Sequence, residues 1–209
     1  MPAGEPRDKR ARKNLVGVTR GNGLLEGLLA RLRAGKANSL IPEPLRRGRI
    51  LDIGCGSNPY FLAHTSFQEK FAIDQLPAAN TPDEIAWHSL DLNADPHLPF
   101  EDGFFSVITM LAVVEHLDPA RLVVLFSECR RVLSPEGMVA LTTPSAWSDR
   151  LLRWMARFSL VSKEEIEEHV FAYTLPLLGW YFGTAGFRMD TLRFGYFEFG
   201  LNMWATARN

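Results

Sequence analysis

The chain has 209 residues, of which 46% are hydrophobic, so it is long and apolar enough to form one domain with a substantial core. Its formal net charge is −1, which gives no overall field for binding nucleic acid or an acidic membrane surface. The two cysteines, Cys55 and Cys129, make neither a disulfide framework nor a zinc site, so we expect no metal and a reducing, cytoplasmic location. No apolar run is long enough to span a membrane, and the N-terminus lacks the apolar core of a signal peptide.

A basic segment precedes the predicted domain. Residues 1–20 contain six lysine or arginine residues against two acidic ones, with little apolar content, which is typical of a mobile tail. Binding to nucleic acid or to anionic lipid is the alternative interpretation of this segment. Residues 21–209 then form a single domain. It begins with a predicted amphipathic helix that covers a sheet edge or the mouth of a binding site, because leucines recur at helical spacing: Leu24, Leu25, Leu28, Leu29 and Leu32.

The segment Arg49–Pro59, with the sequence RILDIGCGSNP, organises the rest of the chain. Its apolar start leads into Gly54-Cys55-Gly56, which is the pattern of a buried strand that feeds a tight loop. Glycines in such a loop permit unusual backbone angles and let a ligand approach the main chain. Asp52 lies within the apolar run, so its carboxylate should accept hydrogen bonds from the loop or contact a ligand.

Further acidic residues follow at the distances expected of a nucleotide-binding fold. Phe71–Asp74 reads as a short strand that ends in an acid about 20 residues after the glycines, where such folds place a ribose-binding carboxylate. Asp91 stands between two leucines farther along the chain. A fourth strand, predicted over Phe104–Thr109, is followed by the sequence VEHL at residues 114–117.

The remaining segments alternate between helices and strands, which predicts an α/β fold with a parallel sheet covered on both faces.

A stretch rich in arginine and aromatic residues, followed by the acidic sequence KEEIEEH, predicts a lid inserted at about residues 145–173. A packed helix with a solvated acidic turn is the alternative, and a lipid-facing helix is a third interpretation. The other predicted elements are a third strand at Ile85–Trp87, a helix that starts at Asp118-Pro119 and ends at Ser134, a strand at Met138–Thr142, a helix at Thr174–Ala185, and terminal strands at Phe187–Phe194 and Phe197–Ala207.

This ordered series of motifs resembles the class I S-adenosylmethionine-dependent methyltransferases. It comprises LDIGCG, the AID of residues 72–74, the LDL of residues 90–92, LPFEDGFFSVI and VEHL, and it covers about Gly48 to Gly137 well. The phrase ITMLAVVEHL is also similar to the corresponding segment of the ubiquinone-pathway O-methyltransferases and of bacterial glycan-cluster methyltransferases. The resemblance implies a Rossmann-like, doubly wound α/β fold, with a mostly parallel seven-stranded sheet and an antiparallel C-terminal edge hairpin. It also implies S-adenosylmethionine as cofactor and S-adenosylhomocysteine as product.

Under this cofactor hypothesis each acid has a separate task. Asp52 would brace the glycine loop near the amino-acid end of the cofactor, and Asp74 would accept hydrogen bonds from both ribose hydroxyls. The resemblance alone implies that Asp91 accepts from the adenine amino group, with a turn or capping role as the alternative. It also implies that the next residue offers its N–H to the ring, and that two residues after the fourth strand line the floor beneath the sulfonium. The predicted cofactor-binding residues are Asp52, Gly54, Cys55, Gly56, Asp74, Gln75, Asp91, Leu92, Met110 and Leu111.

Methyl transfer to an oxygen atom also needs a base that removes the proton of the acceptor. His169, in the predicted lid, is the first candidate, and His116, on the loop after the fourth strand, is the second. Glu115 would orient either histidine or the acceptor. A capping or packing role is the alternative for His116.

The acceptor is predicted to be a small molecule, a sugar or a lipid-linked glycan, with oxygen as the methylated atom. The Asn/Asp-Pro-Pro-aromatic motif expected of amino-methylating nucleic-acid enzymes is absent from Thr109–Ala112, so no nucleic-acid partner is expected. Peripheral membrane contact stays open, and no oligomeric state is predicted. A protein methyltransferase, or a non-catalytic methyltransferase-like scaffold suggested by Asn58 in place of a third glycine, are the alternatives. A nicotinamide dehydrogenase is disfavoured, because Pro59 replaces the last glycine of its G-x-G-x-x-G motif.

Overall fold

The computed structural model describes residues 26–79, 81–148 and 171–209. The predicted tail, the first two leucines of the predicted N-terminal helix, most of the predicted lid and His169 lie outside these residues. The described strands are β1 (Arg49–Ile53), β2 (Glu69–Asp74), β3 (Ile85–Ser89), β4 (Phe105–Leu111), β5 (Leu133–Pro144), β6 (Arg193–Phe197) and β7 (Asn202–Arg208). The described helices are α1 (Glu26–Leu40), α2 (Tyr60–Ala63), α3 (Pro119–Val132) and α4 (Leu175–Thr184), with short 3-10 helices at Glu43–Arg47, Val114–His116, Met189–Thr191 and Glu198–Gly200.

The seven strands form one sheet in the order β3-β2-β1-β4-β5-β7-β6. Strands β1 to β5 pair in parallel, whereas β7 runs antiparallel to both β5 and β6. This arrangement confirms the predicted doubly wound, mostly parallel sheet with an antiparallel hairpin at its C-terminal edge. In the described part of the chain, no helix is both long and apolar enough to cross a membrane.

Both faces of the sheet are covered, as a parallel sheet requires. Ile50 and Val107 face α1, where Ala34 and Ala37 allow close packing of the helix against the strands. The opposite face packs against α3 and α4, whose Phe126 and Phe182 rings stack at 4.6 Å. Because side chains alternate along a strand, Asp52 lies on the α1 side, two residues after Ile50.

Helix α3 begins as the sequence predicts. The Asp118 carboxylate accepts a 2.8 Å hydrogen bond from the Ala120 N–H, and Pro119 occupies the first helical position. Cys129 is fully buried on the inner face of this helix. These contacts fix the position at which α3 begins, and the loop between β4 and α3 carries Glu115 and His116.

The predicted bounds of the two terminal strands are wrong. Phe187 does not start a strand, because its N–H bonds the Phe182 carbonyl at 3.0 Å and its ring packs on Phe182 to close α4. The strand therefore starts only at Arg193. The second predicted strand is interrupted at its start by the turn Glu198–Gly200, where Phe199 has a φ angle of 56° and is fully exposed.

Candidate active site

The carboxyl ends of β1, β2, β4 and β5 lie at one edge of the sheet. The strand order reverses between β1 and β4, because the chain first moves outward to β3 and then returns. Ligands of open α/β sheets bind at this edge, beside the point of reversal. The loops that leave these strands carry most of the predicted site residues.

The glycine loop after β1 has one tight and one open position. Gly54 and Gly56 have positive φ angles of 71° and 67°, which residues with a Cβ rarely adopt. A Cβ on Gly54 would lie 2.5 Å from a methyl carbon of Val113, whereas a Cβ on Gly56 would meet no atom within 4 Å. The loop is therefore packed at Gly54 and leaves open space beside the backbone of Gly56.

The Asp74 carboxylate holds this loop. One of its oxygens accepts a 2.8 Å hydrogen bond from the Gly56 N–H, and the other accepts from the Leu76 N–H at 2.9 Å. The bracing role that the sequence predicts for Asp52 therefore falls to Asp74. The parallel register pairs Ile53 with Ile73, so the acid at the end of β2 stands directly beside the loop that leaves β1.

Asp52 instead bonds across the sheet to β4. It accepts a 2.6 Å hydrogen bond from the Thr109 hydroxyl and is only 3% exposed. Burial raises the pKa of Asp52 to about 7 against the opposing effect of the Thr109 bond, and the charge of Asp74 adds a smaller increase. Among the described residues no cation pairs with Asp52, and an unpaired buried carboxylate is costly, so a cationic ligand group beside it would be stabilised.

Cys55 separates the two glycines and is half-buried. Burial, together with the charges of Asp52 and Asp74, raises the pKa of its thiol far above the ordinary value. The thiol points at the Ile73 carbonyl, 3.8 Å away. The thiol is therefore neutral and packs within the loop, and its predicted contact with the cofactor stays a prediction.

The residues predicted to contact the ribose and adenine lie on two neighbouring loops. Gln75 is exposed directly after β2. Asp91 is also exposed, and one of its oxygens accepts a 2.9 Å hydrogen bond from the Asn93 N–H within a turn. A carboxylate has about four acceptor sites, so this turn leaves capacity for a ligand. Leu92 is 7% exposed and packs into the core.

Met110 and Leu111 end strand β4 on opposite faces of the sheet. Met110 is completely buried on the side of α3 and α4, while Leu111 is half-buried and packs on the α1 side. A ligand above this edge would meet the Leu111 side chain and the backbone between the two residues, since the Met110 side chain has no exposed surface.

Glu115 and His116 follow β4 in a short 3-10 helix. Glu115 is 2% exposed, and one of its oxygens accepts a 3.0 Å hydrogen bond from the Thr143 hydroxyl on β5. Its other oxygen is buried without a hydrogen-bond partner among the described residues. Burial raises the pKa of Glu115, although the nearby His116 opposes the rise. His116 is half-buried, and its carbonyl accepts from the Asn93 side chain at 3.2 Å.

Sequence reasoning missed the buried Tyr173, which lies two residues after the segment that contacts the backbone of Glu115. The Phe171 N–H lies 3.4 Å from the Glu115 carbonyl, and Tyr173 forms a parallel bridge with Ser145. Tyr173 is fully buried, and its hydroxyl has no partner within the described ranges. Burial, together with the charges of Tyr181 and Glu115, raises its pKa well above the ordinary value. The sequence carries no local signal for the contact between Phe171 and Glu115, because these residues lie in distant segments of the chain.

A second carboxylate at this edge also escaped the sequence analysis. Glu198 accepts a hydrogen bond from the Asn202 side chain through one oxygen, and its other oxygen is buried without a partner in the described part of the chain. Burial raises the pKa of Glu198, while the Asn202 bond and the charge of Arg33 oppose the rise. Arg33, on α1, also lowers the pKa of Glu115. Its guanidinium therefore acts on both carboxylates.

Comparisons with known proteins agree with this architecture. A family model described as a methyltransferase domain matches residues 24–192. No curated protein matches the chain in sequence.

Several solved structures share the fold at low sequence identity. An S-adenosylmethionine-dependent methyltransferase of Mesorhizobium loti aligns with a TM-score of 0.62 at 16% identity, over 84% of this chain and 96% of that one. One from Archaeoglobus fulgidus aligns with a TM-score of 0.62 at 16% identity, over 86% and 94%. One from Thermotoga maritima aligns with a TM-score of 0.62 at 17% identity, over 87% and 89%.

Proposed function

Since the chain belongs to the family of methyltransferase domains, we propose that it transfers a methyl group to a hydroxyl oxygen of a small-molecule, sugar or lipid-linked acceptor. The methyl donor is S-adenosylmethionine, and the product is S-adenosylhomocysteine. Its sulfonium supplies the activated carbon, so the protein contributes mainly by holding the acceptor in line, which is worth up to about 7–11 kcal/mol in favourable systems.

The observation that supports the cofactor part of this proposal is the pair of buried carboxylates around the glycine loop. Asp52 is buried with a pKa of about 7, and Asp74 accepts from Gly56, beside which the backbone is open. This edge suits a ligand with one cationic end and one end rich in hydroxyl donors. The ammonium of the cofactor would compensate the Asp52 charge, while its ribose hydroxyls would donate to Asp74.

The other predicted contacts keep the roles that the sequence resemblance implies. Gln75 and Asp91 stand exposed on adjoining loops, where Asp91 would accept from the adenine amino group and Leu92 would donate its N–H. Leu111 would contact the cofactor from the end of β4, and Met110 would support it from within the core.

The proton of the acceptor hydroxyl must leave during transfer. His116 and Glu115 both follow β4 at the carboxyl edge of the sheet, which supports a role for them beside the acceptor. Glu115, with a raised pKa, would orient the acceptor hydroxyl, and His116 would take its proton. His169, which precedes the described segment that begins at residue 171, stays the first predicted base.

A transfer assay with methyl-deuterated S-adenosylmethionine tests the proposal. The purified protein is incubated with this donor and a panel of alcohols, phenols, glycosides and amines, and mass spectrometry detects the deuterated product. We expect labelled methyl ethers from at least one hydroxyl compound, and loss of the label with Asp74→Ala. Labelling of amines alone would contradict the oxygen acceptor. Binding of the donor without transfer to any compound would favour a non-catalytic domain.

A further inference from the structure

Three segments at the carboxyl edge of the sheet each carry an exposed aromatic side chain. They are the segment after β5, the segment before α4 and the turn between β6 and β7, and their exposed residues are Trp147, Phe171 and Phe199. The hydroxyl and the N–H of Ser145 donate to carbonyls of the turn, and a parallel bridge joins Ser145 to Tyr173. The three segments therefore form one connected part of this edge.

Phe199 stands out among these residues. Its side chain is fully exposed, and its φ angle of 56° lies in the left-handed region, where a bulky residue is less favourable than glycine or asparagine. The turn itself gains no packing from the ring. An exposed ring at an unfavourable backbone position therefore indicates contact with something outside the described chain.

Helix α1 brings further apolar surface to the same edge. Only residues 41–48 separate its end from the start of β1, so α1 runs antiparallel to β1 and begins at the carboxyl edge. In agreement, the charge of Arg33 acts on Glu198 in the turn between β6 and β7. Leu28 and Leu32 lie one helical turn apart in the first part of α1, and both are exposed.

The chain that precedes α1 is basic. Residues 1–20 contain six lysine or arginine residues against two acidic ones, a local net charge of +4, although the whole chain has a net charge of −1. Because this segment precedes α1, its charge is tethered to the edge that carries the exposed aromatic residues. Basic residues held near a bilayer are attracted to anionic lipids.

We propose that this edge binds the surface of an anionic lipid bilayer, with the three aromatic rings in the headgroup region and the basic segment attracted to the lipid charge. Aromatic rings suit the boundary between headgroups and acyl chains, and apolar insertion combined with basic residues gives firmer binding than either alone. A nucleic acid could use the charge and the rings, but the exposed leucines have no counterpart in it. A bilayer uses all three features.

The cofactor site predicted at this edge would then open toward the bilayer. Among the proposed acceptors, this arrangement favours one that is linked to a lipid. That consequence rests on the proposed function, whereas binding of the lipid surface does not.

Co-sedimentation of the full chain with vesicles tests the surface. The vesicles consist of phosphatidylcholine alone or of a three-to-one mixture of phosphatidylcholine and phosphatidylglycerol. We expect binding to the anionic vesicles at least about tenfold tighter than to the neutral ones. This binding should weaken as the salt concentration rises, because salt screens the attraction.

Variants locate the contact on this edge. Phe199→Asn removes the ring at a backbone position that asparagine tolerates, so the variant should fold as stably as the wild-type protein and bind anionic vesicles about 5- to 20-fold more weakly. Phe199→Trp should retain binding. Trp180→Gln is the matched control, since it removes a 57% exposed ring from the middle of α4, and it should bind like the wild-type protein.

The basic segment is tested separately. Arg10→Gln, Arg12→Gln and Lys13→Gln in one variant should weaken binding to anionic vesicles and leave binding to neutral vesicles unchanged. Neither this variant nor Phe199→Asn should alter the affinity for S-adenosylhomocysteine.

Several outcomes would overturn the proposed surface. They are absence of binding to either vesicle, equal binding to both, binding that survives Phe199→Asn and the triple glutamine variant, and an equal loss in Trp180→Gln. A change of oligomeric state in Phe199→Asn would assign the surface to a second copy, and tighter binding of a single-stranded oligonucleotide than of vesicles would assign it to nucleic acid. A protein that does not bind S-adenosylhomocysteine would contradict the proposed function instead.

Discussion

The substitution Asp52→Asn tests whether a buried carboxylate is retained for the cofactor at the expense of stability. The folded-state pKa of Asp52 is raised from 3.8 to about 7. The folded protein therefore binds a proton at this site more tightly than the unfolded chain does. Its contribution to stability is fully present below pH 3.8 and is lost as the pH rises to about 7. At about 1.4 kcal/mol for each pH unit, the loss has an upper bound of about 4 kcal/mol.

Asparagine keeps the shape of Asp52 but carries no charge. The Thr109 hydroxyl donates to Asp52 and also lies 3.4 Å from the Leu51 carbonyl. It can donate to Leu51 and accept from the new amide, so the Thr109 hydroxyl need not be left unpaired. We expect Asp52→Asn to raise the free energy of unfolding by about 2 kcal/mol at pH 7.5, half of the upper bound, and to have no effect near pH 4. Urea unfolding at both pH values measures the difference.

The same substitution should weaken binding of the cofactor. If the cofactor ammonium pairs with ionised Asp52, the affinity of the wild-type protein for S-adenosylhomocysteine should rise about eightfold from pH 6 to pH 7.5, because the ionised fraction of a group with a pKa of about 7 rises by that factor. Asp52→Asn should abolish this pH dependence and lower the affinity. The reasoning would be refuted if Asp52→Asn were less stable than the wild-type protein at pH 7.5. It would also be refuted if the affinity for S-adenosylhomocysteine did not depend on pH in either protein.

Further substitutions test the loop and a helix start. Gly54→Ala and Gly56→Ala place a Cβ at similar positive φ angles, but only the former meets Val113, so Gly54→Ala should lower the free energy of unfolding by about 1–3 kcal/mol more in urea unfolding. Gly54→Ala combined with Val113→Ala should regain part of that loss, and equal effects of the two single glycine variants would contradict the clash. Asp118→Ala removes the N-cap of α3 and should cost about 1 kcal/mol in the same assay; no change would mean that the cap bond is absent in solution.

Features encoded by neighbouring residues could be predicted from the sequence. The strand before the glycine loop depends on the apolar run from Ile50, and the start of α3 depends on Asp118 followed by Pro119. The alternation of helices and strands predicts the parallel sheet by the same local logic. These features need no knowledge of which distant segments meet.

The parts that the sequence could not predict depend on long-range register. Which acid braces the glycine loop depends on how β2 lies beside β1, and the register gives this role to Asp74 rather than Asp52. The alternation of apolar and polar residues through Phe199 predicts a continuous strand. In the structure, Glu198 and Phe199 adopt left-handed backbone angles and make a turn, which places Glu198 at the carboxyl edge of the sheet. The backbone contact between Phe171 and Glu115 has no local signature at all.

A calorimetric titration of the purified protein with S-adenosylhomocysteine, with NAD as the competing nucleotide, tests the central claim most directly. We expect saturable binding of S-adenosylhomocysteine, no binding of NAD, and loss of the signal in Asp74→Ala, whose fold is checked by circular dichroism. Binding of NAD, or binding of S-adenosylhomocysteine that is unchanged in Asp74→Ala, would contradict the account of a cofactor site built on Asp74 and the glycine loop.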